Sequence, residues 1–370
     1  MASGSEFGSI LRLTTWGESH GAGIGAVLDG FPAGMELSES DIQEYLNRRK
    51  PGQTQISTPR KEADLVEILS GVFEGRTTGT PISLLIRNTS QRSRDYGNLK
   101  DCFRPGHADY SYYSKYGFRD YRGGGRSSAR ETAGRVAAGA IAAKFLKELG
   151  VDLCAFTKAI GPVCIDESRF DRELIGKTGT CMPDAQADEQ AMAFLKDCME
   201  QKDSAGGVIE CRITGVPAGI GDPVFDKLDA RIAQALMSIG AVKAVEIGDG
   251  TEAAKATGSV NNDPFYMEGD AVAKRTNHAG GILGGISDGS PIICRVYVKP
   301  TPSIFREQET VDESGNGRTL LIKGRHDPVV VPRAVVVVEC MCALTILDAM
   351  LANMTCRADA VKAFYNIRKQ

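Results

Sequence analysis

The chain has 370 residues, of which 42% are hydrophobic, and its formal net charge is −3. This composition supports a large folded core, and the slight acidic excess argues against a protein that coats nucleic acid or an anionic membrane with its whole surface. Any recognition of anions must therefore be local. The length alone would suit one large domain or two ordinary ones.

The ten cysteines are scattered and include no CxxC pair and no histidine at metal-ligand spacing. We therefore predict no metal site and reduced thiols in a cytoplasmic protein. No basic segment followed by an apolar one opens the sequence, so no signal peptide is expected, and residues 1–7 are interpreted as an added or disordered leader. The apolar segment 334–354 contains Glu339 and Asp348, which favours a buried helix over a membrane crossing.

The first hundred residues alternate between predicted strands and turns. Apolar periodicity predicts strands at 10–15, 25–28, 65–73 and 82–87. Ser38 and Asp41 have the spacing of a capping box, which predicts a helix that ends with Arg48, Arg49 and Lys50. These cations suit the negative end of the helix dipole, or a substrate clamp.

A basic, glycine-rich segment follows. Residues 87–135 contain eleven Lys and Arg against five Asp and Glu. Ser128 and Glu131 form a second capping-box pattern, which predicts a helix that continues to 150. The amides at 124–128, at the positive end of that helix, would suit a phosphate, whereas the alternative is a flexible surface loop.

The second half repeats the mixture of helix and strand. Helices are predicted at 187–199, from Asp222 to about 240, and after Pro332, with strands at 207–214, 242–247 and 291–298 and a polar hairpin up to Leu320. The turn DGFPAG at 29–34 recurs as TGVPAG at 214–219, and each precedes a predicted helix. This echo indicates a duplicated core within one domain that spans 8–370.

Histidines and arginines are the candidate functional residues. His20, His107, His278 and His326 all lie in turns rich in glycine or proline, which favours acid–base chemistry or phosphate contact over metal binding. Guanidinium groups bind carboxylate and phosphate through paired donors, so the ligand is expected to be small and multiply anionic. The candidates are Arg48, Arg49, Arg104, Arg126, Arg130 and Arg325. Tyrosines interleaved with basic residues at 96–135 allow a different hypothesis, a nucleic-acid-binding module.

Five motifs taken together identify a family. They are GESHG at 17–21, RPGHAD at 104–109, YRGGGRSSARET at 121–132, NHAGG at 277–281 and GRHDP at 324–328. In this order they resemble chorismate synthase. The resemblance implies a lyase of the shikimate pathway of aromatic amino-acid biosynthesis. Its reaction is a 1,4-anti elimination of phosphate from 5-enolpyruvylshikimate 3-phosphate, which gives chorismate with reduced FMN and no net redox change.

The resemblance also implies roles for individual residues. His20 and His107 would handle protons, His20 near the departing phosphate and His107 near the flavin, and Asp327 would act with flavin N5. The implied flavin contacts are Arg126, Ser127, Ser128, Gly240, Ala241, Gly284, Lys299, Pro300, Thr301, Pro302, Ser303 and Arg325. The implied substrate contacts are Ser19, Arg48, Arg49, Arg104 and Arg130.

The implied architecture is an α+β sheet–helix–sheet sandwich that assembles as a homotetramer, with NADPH as a possible reductant of the flavin. Two positions depart from the family pattern. Gln55 stands near a position where arginine is frequent, and the loop at Gly240 lacks a frequent asparagine, so only its backbone contacts are expected to be kept.

Overall fold

The computed structural model describes residues 4–50, 63–89, 97, 99–322 and 327–367. In the first part of the chain the elements are β1 (Glu6–Phe7), β2 (Arg12–Gly17), β3 (Gly23–Asp29), α1 (Glu39–Arg49), β4 (Val66–Ser70), β5 (Val72–Phe73), β6 (Arg76–Thr77), β7 (Ile82–Arg87), α2 (Asp109–Tyr116) and α3 (Thr132–Glu148). They continue with β8 (Asp152–Ile160), β9 (Val163–Cys164), α4 (Ala185–Glu200), β10 (Gly207–Thr214), α5 (Leu228–Met237), β11 (Val242–Ile247), α6 (Gly258–Asn261), β12 (Phe265–Glu268) and β13 (Ala271–Lys274). The last are β14 (Ile282–Leu283), β15 (Ile286–Ser287), β16 (Ile292–Val298), β17 (Gln308–Val311), β18 (Gly317–Leu320), α7 (Val331–Asn353) and α8 (Ala358–Ile367).

Two five-stranded antiparallel sheets enclose a layer of helices. The first sheet has the order β1-β2-β3-β7-β4 and the second has the order β11-β16-β10-β8-β9. Helices α1, α3, α5 and α7 lie between them, and one hydrophobic cluster runs through both sheets and this layer. Strand β16 alternates buried and half-buried residues along its length, as expected for a strand with one face on a core. The predicted sheet–helix–sheet sandwich is confirmed.

The two central helices, α3 and α7, approach each other and the first sheet unusually closely. A Cβ built on Gly139 of α3 would lie 2.3 Å from the Cβ of Cys340 on α7, and one built on Gly134 would lie 3.1 Å from the carbonyl oxygen of Gly25 on β3. The small residues of α3 therefore let two backbones pack against it. Helix α7 is long and apolar enough to cross a membrane, but 83% of its most apolar window is buried, as predicted for a core helix.

The duplication indicated by the turn at 29–34 is visible in the topology. Four strands of the first sheet, β2-β3-β7-β4, match β8-β10-β16-β11 of the second in both chain order and spatial order. In each half a helix, α1 or α5, follows the second of these strands, and another, α3 or α7, follows the last along the chain. The halves thus form the same unit twice, with α3 and α7 as equivalent helices.

The two echoing turns are also held by the same hydrogen bonds. The amide of Gly34 donates to the Thr77 carbonyl at 2.8 Å, and the Thr77 hydroxyl donates to the Pro32 carbonyl at 2.8 Å. In the second half the amide of Gly219 donates to the Ser287 carbonyl at 2.8 Å, and the Ser287 hydroxyl donates to the Pro217 carbonyl at 2.6 Å. Shared contacts of this kind explain why both turns keep the same residues.

Several sequence predictions needed correction at element ends. Ser128 does cap a helical turn, because its hydroxyl accepts from the Arg130 amide, but Glu131 pairs with Arg135 instead of closing a capping box. The helix predicted from Asp222 begins at Leu228. Within the presumed leader, Glu6 and Phe7 form β1, because they pair with Thr14 and Leu13 and the Phe7 ring packs on the core. These two residues are therefore ordered.

Candidate active site

A glycine turn separates the two histidines of the first two motifs. Gly123 and Gly124 both have positive φ, +67° and +97°. A Cβ built on Gly123 would lie 2.6 Å from His20 Nε2, and one built on Gly124 would lie 3.0 Å from His107 Cε1. Only glycine suits both the backbone conformation and this close approach. The turn therefore brings His20 and His107 to opposite sides of one short stretch of backbone.

A buried ion pair orients His107. Arg104 donates to both carboxylate oxygens of Asp109, at 2.7 and 2.8 Å, and His107 Nδ1 lies 2.9 Å from Asp109 Oδ1. With Nδ1 on the carboxylate, the Nε2 side of the ring lies toward Gly124. Burial lowers the pKa of His107 below its ordinary range, although Asp109 partly opposes this effect. Arg104, predicted as a substrate contact, is thus engaged with Asp109 and positions the histidine.

The loop that carries His107 contacts the segment predicted to bind the flavin. Lys299 donates through Nζ to the Gly106 carbonyl at 2.6 Å, and a Cβ on Gly106 would lie 3.1 Å from Pro302. The Lys299 amide donates to the Ala241 carbonyl at 2.9 Å. Ala241 and the segment 299–303, which lie far apart in sequence, therefore meet beside His107.

Three of the predicted substrate arginines are held by carboxylates. Asp64, with no exposed side-chain surface, forms ion pairs with Arg49 and Arg130, both buried. Burial raises the pKa of Asp64, but the two arginines outweigh it and lower the value to about 2. The trio keeps a net positive charge. Arg48 forms a two-bond pair with Glu339 at 2.7 and 2.8 Å.

Arg49 also joins the starts of the two central helices. Its Nη1 donates to the Thr132 hydroxyl at 3.4 Å, at the beginning of α3, and its carbonyl accepts from Arg333 Nε at 3.1 Å, near the beginning of α7. Arg333 in turn forms an ion pair with Asp327. Two helix N-termini with their positive dipole ends thus lie near the arginines, which favours a bound anion.

Buried hydrogen-bonding groups that have no hydrogen-bond partner indicate where the phosphate of a flavin would fit. Among the described residues, Arg126 Nη1, Thr301 Oγ1 and Ser19 Oγ are buried and have no hydrogen-bond partner. Such groups are costly unless a ligand satisfies them. Arg126 is fixed through its other nitrogen, which donates to the Thr15 carbonyl at 2.7 Å. An open cavity of ≈ 160 Å³ lies along Gly124 to Ser127. Arg126 lines this cavity, so its unpaired nitrogen fits a phosphate-bearing cofactor there.

The remaining predicted contacts are placed as follows. Ser127 donates to the Gly124 carbonyl at 2.8 Å, and Ser303 is buried beside the segment that begins at Lys299. Gly284 lies at the tip of the β14–β15 hairpin, where its neighbour Gly285 packs against Lys227 rather than against the histidine turn. Arg325, His326 and Gln55 lie outside the described residues.

Sequence reasoning missed the partners of these residues. Asp64 and Arg333 orient predicted groups, yet each is one charged residue among many along the chain, whereas Asp109 stands in the RPGHAD motif and had no predicted role. It also missed a cluster of three buried thiols, formed by Cys211, Cys294 and Cys342.

The aromatic segment that suggested a nucleic-acid surface is partly packing. The Phe103 ring contacts the rings of Tyr110 and Tyr113, with centroids 5.4 and 5.5 Å apart. Arg119 is buried against Phe103 and donates to the carbonyls of Leu99 and Cys102 at 2.7 and 2.6 Å. The Phe103 ring and Nη2 of Arg119 are therefore occupied within the protein, whereas Nε and Nη1 of Arg119 have no hydrogen-bond partner among the described residues.

Comparison with known proteins decides the family. A family model described as chorismate synthase matches residues 11–351. The chain belongs to the chorismate synthase family. Chorismate synthase of Agathobacter rectalis is 59% identical over 362 residues, 98% of this chain and 99% of that protein. The chorismate synthases of Lachnoclostridium phytofermentans and Methanosarcina mazei are 61% and 52% identical over 364 and 353 residues, covering 98% and 95% of this chain and 99% and 97% of those proteins.

A crystal structure of chorismate synthase has a similar fold, with a TM-score of 0.76, 36% sequence identity and 98% of each chain covered. The protein is therefore an enzyme, a carbon–oxygen lyase that acts on a small phosphorylated substrate in aromatic amino-acid biosynthesis. The family uses a reduced flavin.

Proposed function

We propose that this protein converts 5-enolpyruvylshikimate 3-phosphate to chorismate by 1,4-anti elimination of phosphate, with reduced FMN bound beside the substrate. The observation that carries the proposal is the turn at Gly123 and Gly124, whose backbone lies against both His20 and His107. Family membership supports the reaction, and the buried donors without partners support the cofactor.

The flavin would be held by residues on three loops. The proposed contacts are Arg126, Ser127, Ser128, the backbone of Gly240 and Ala241, Gly284, Lys299, Pro300, Thr301, Pro302, Ser303 and Arg325. When bound, reduced FMN supplies electron density that eases cleavage of the C–O bond without net oxidation or reduction. The flavin could be reduced by NADPH or by an external donor.

The histidines and Asp327 would manage charge and protons. As the substrate C–O bond breaks, its electron pair leaves on phosphate, and His20 would donate a proton to that leaving group. Asp327, held by Arg333, would accept the proton lost from the substrate ring. The C–H electrons form a double bond to the neighbouring ring carbon, and the existing double bond shifts toward the carbon that loses phosphate. The Nε2 side of His107 would hydrogen-bond the flavin while Asp109 fixes the ring.

The substrate carries a phosphate and two carboxylates, which matches the arginines around the pocket. Arg48, Arg49, Arg104, Arg130 and Ser19 are the proposed contacts. Arg49 and Arg130 are preorganised by Asp64, so little side-chain entropy would be lost on binding. Arg104 would contribute its positive charge through the pair with Asp109.

We further propose a single domain over 8–370 that assembles as a homotetramer in the cytoplasm. Light scattering during gel filtration would test the assembly. The activity itself is tested by anaerobic incubation with 5-enolpyruvylshikimate 3-phosphate and chemically reduced FMN. Phosphate release together with chorismate absorbance is expected. Phosphate without chorismate would indicate a plain phosphatase and refute the proposal.

A further inference from the structure

Three cysteines meet in the core, away from the residues assigned to the active site. Cys211 on β10 and Cys294 on β16 are directly opposite each other in the second sheet, and both belong to its helix-facing side. Cys342 on α7 completes the set, with its Sγ 3.8 Å from that of Cys294. The three sulfur atoms all lie within 4.8 Å of one another and are buried.

The alternation of strand and helix residues explains this meeting. Inward-facing positions on neighbouring antiparallel strands lie side by side, so one cysteine on each strand gives a thiol pair. On α7, Cys340 faces α3 and donates to the Val136 carbonyl, while Cys342, two residues later, lies on the sheet side. The helix therefore presents one thiol to each neighbour.

The chemistry of the cluster selects its ligand. Structural zinc takes four ligands, whereas the described residues supply three here. Copper(I) bound by three thiolates would bury two negative charges, and the nearby arginines are already engaged, because Arg212 and Arg295 pair with Glu210 and Arg48 pairs with Glu339. Two uncompensated charges in such surroundings are unfavourable. A trivalent ion with three thiolates is neutral and avoids this cost.

We propose that Cys211, Cys294 and Cys342 form a binding site for trivalent thiophilic elements, with arsenite as the representative ligand. Arsenous acid exchanges its three As–O bonds for three As–S bonds, and each thiol proton leaves on a hydroxyl group as water. Arsenic stays trivalent, so no oxidant or reductant is required.

The site would fill slowly, because the thiols are reached only when the sheet and α7 open locally. Once bound, arsenic would crosslink two strands and the central helix. Since the three sulfurs come together only in the folded chain, arsenic would bind the folded state more tightly and raise the unfolding temperature, by an amount that grows with the logarithm of its affinity.

The test uses the full-length reduced protein, incubated anaerobically with sodium arsenite and then desalted. One arsenic per chain is expected by elemental analysis, with three sulfur neighbours by X-ray absorption. Cys342→Ala, which leaves a two-thiol site, should lose on the order of 100-fold in affinity. Cys164→Ala and Cys356→Ala are the matched controls, because both thiols are exposed and outside the cluster; they should bind as the wild type does.

Binding that survives in Cys342→Ala, or that is lost in the exposed-cysteine controls, would overturn the proposal. So would fewer than three sulfurs around arsenic in the wild type, or no binding after prolonged incubation. The X-ray absorption measurement on the wild type needs no variant, so the proposal can be tested even if Cys342→Ala folds poorly. None of these readouts depends on catalysis.

Discussion

Gly123→Ala tests whether the glycine turn sets the position of His20. The substitution has two separate costs. Gly123 has φ +67°, and an L-residue in this left-handed region costs about 1–2 kcal/mol. In addition, the new methyl group would lie 2.6 Å from His20 Nε2 and 3.0 Å from Ser19 Oγ, so one of these side chains must move.

Gly75→Ala separates the two costs. Gly75 lies in the exposed β5–β6 hairpin with φ +74°, and nothing lies within 4 Å of its built Cβ. It should therefore lose similar stability without moving a histidine. A displacement of about 1 Å in a catalytic group can lower turnover on the order of 100-fold. We expect that loss in kcat/KM for Gly123→Ala, and a change of about twofold or less for Gly75→Ala.

The assay is anaerobic chorismate formation with chemically reduced FMN, and urea unfolding of both variants checks that their stabilities match. FMN affinity is measured separately, because a lost cofactor would also lower turnover. If Gly123→Ala turns over as fast as Gly75→Ala, the turn does not position His20 for catalysis and the site assignment fails.

Three further predictions follow from the described contacts. His107→Ala should keep FMN binding, measured by equilibrium titration, but lose most turnover, and unchanged turnover would remove its assigned role. Burial lowers the pKa of His107 below its ordinary value of about 6.5. The stability that the neutral His107 ring contributes is therefore complete above about pH 6.5 and is lost as pH falls toward the pKa of the folded state. Between neutral and mildly acidic pH, the stability of His107→Gln, measured by urea unfolding, should fall less than that of the wild type. Asp348 accepts amide hydrogen bonds from Ser9, Ile10 and Leu11, each at 2.8 Å, and forms an ion pair with Arg231. Asp348→Ala should therefore lower the free energy of unfolding, measured in urea, by about 3–5 kcal/mol. Substitution of the exposed Asp359 should cause no detectable change in that free energy.

Local signals predicted the parts of the fold that depend on local physics. The Asp41 carboxylate accepts from the Ser38 amide at 2.9 Å, as the capping-box spacing indicates. Strands β10 and β11 match the predicted bounds, because their apolar residues follow the period of a strand. The helix predicted from Asp222 failed for a tertiary reason. Gly221, with φ +112°, packs against Gly285, and this contact holds the chain in a turn until Leu228 enters the core.

A second pair of equivalent elements, two short hairpins, was not recognised from the sequence. The turns at 29–34 and 214–219 are 185 residues apart, but the hairpins that begin at Gly71 and Gly281 are 210 apart. The difference arises because the second half has extra elements, among them the β12–β13 hairpin. Each hairpin is followed by a glycine and then by a Pro-Ile pair, which begins at Pro81 in the first half and at Pro291 in the second. The equivalence of the two hairpins can be recognised in the sequence when this insertion is allowed for.

The candidate site likewise contains some residues that the sequence indicated and others that it could not indicate. Motifs in the sequence indicated His20 and His107, because motif residues can be recognised without knowledge of their contacts in the fold. Asp64 could not be found, since its two arginines lie 15 and 66 residues away and nothing local links a carboxylate to them. The cysteine cluster joins positions 83 and 48 residues apart, and only the sheet register and the placement of α7 bring them together.

The equivalence of α3 and α7 has a consequence for the chemistry. In a symmetric pair of identical half-length chains, the loops before these helices would have the same sequence, and the pocket between them would treat both ends of a ligand alike. Here the loop before α3 carries the glycine turn and Arg126, while the loop before α7 carries Asp327. Under the proposed mechanism, joining the two halves in one chain would let one helix start hold an anion while the other receives a proton, which is the asymmetry that an elimination across a ring requires.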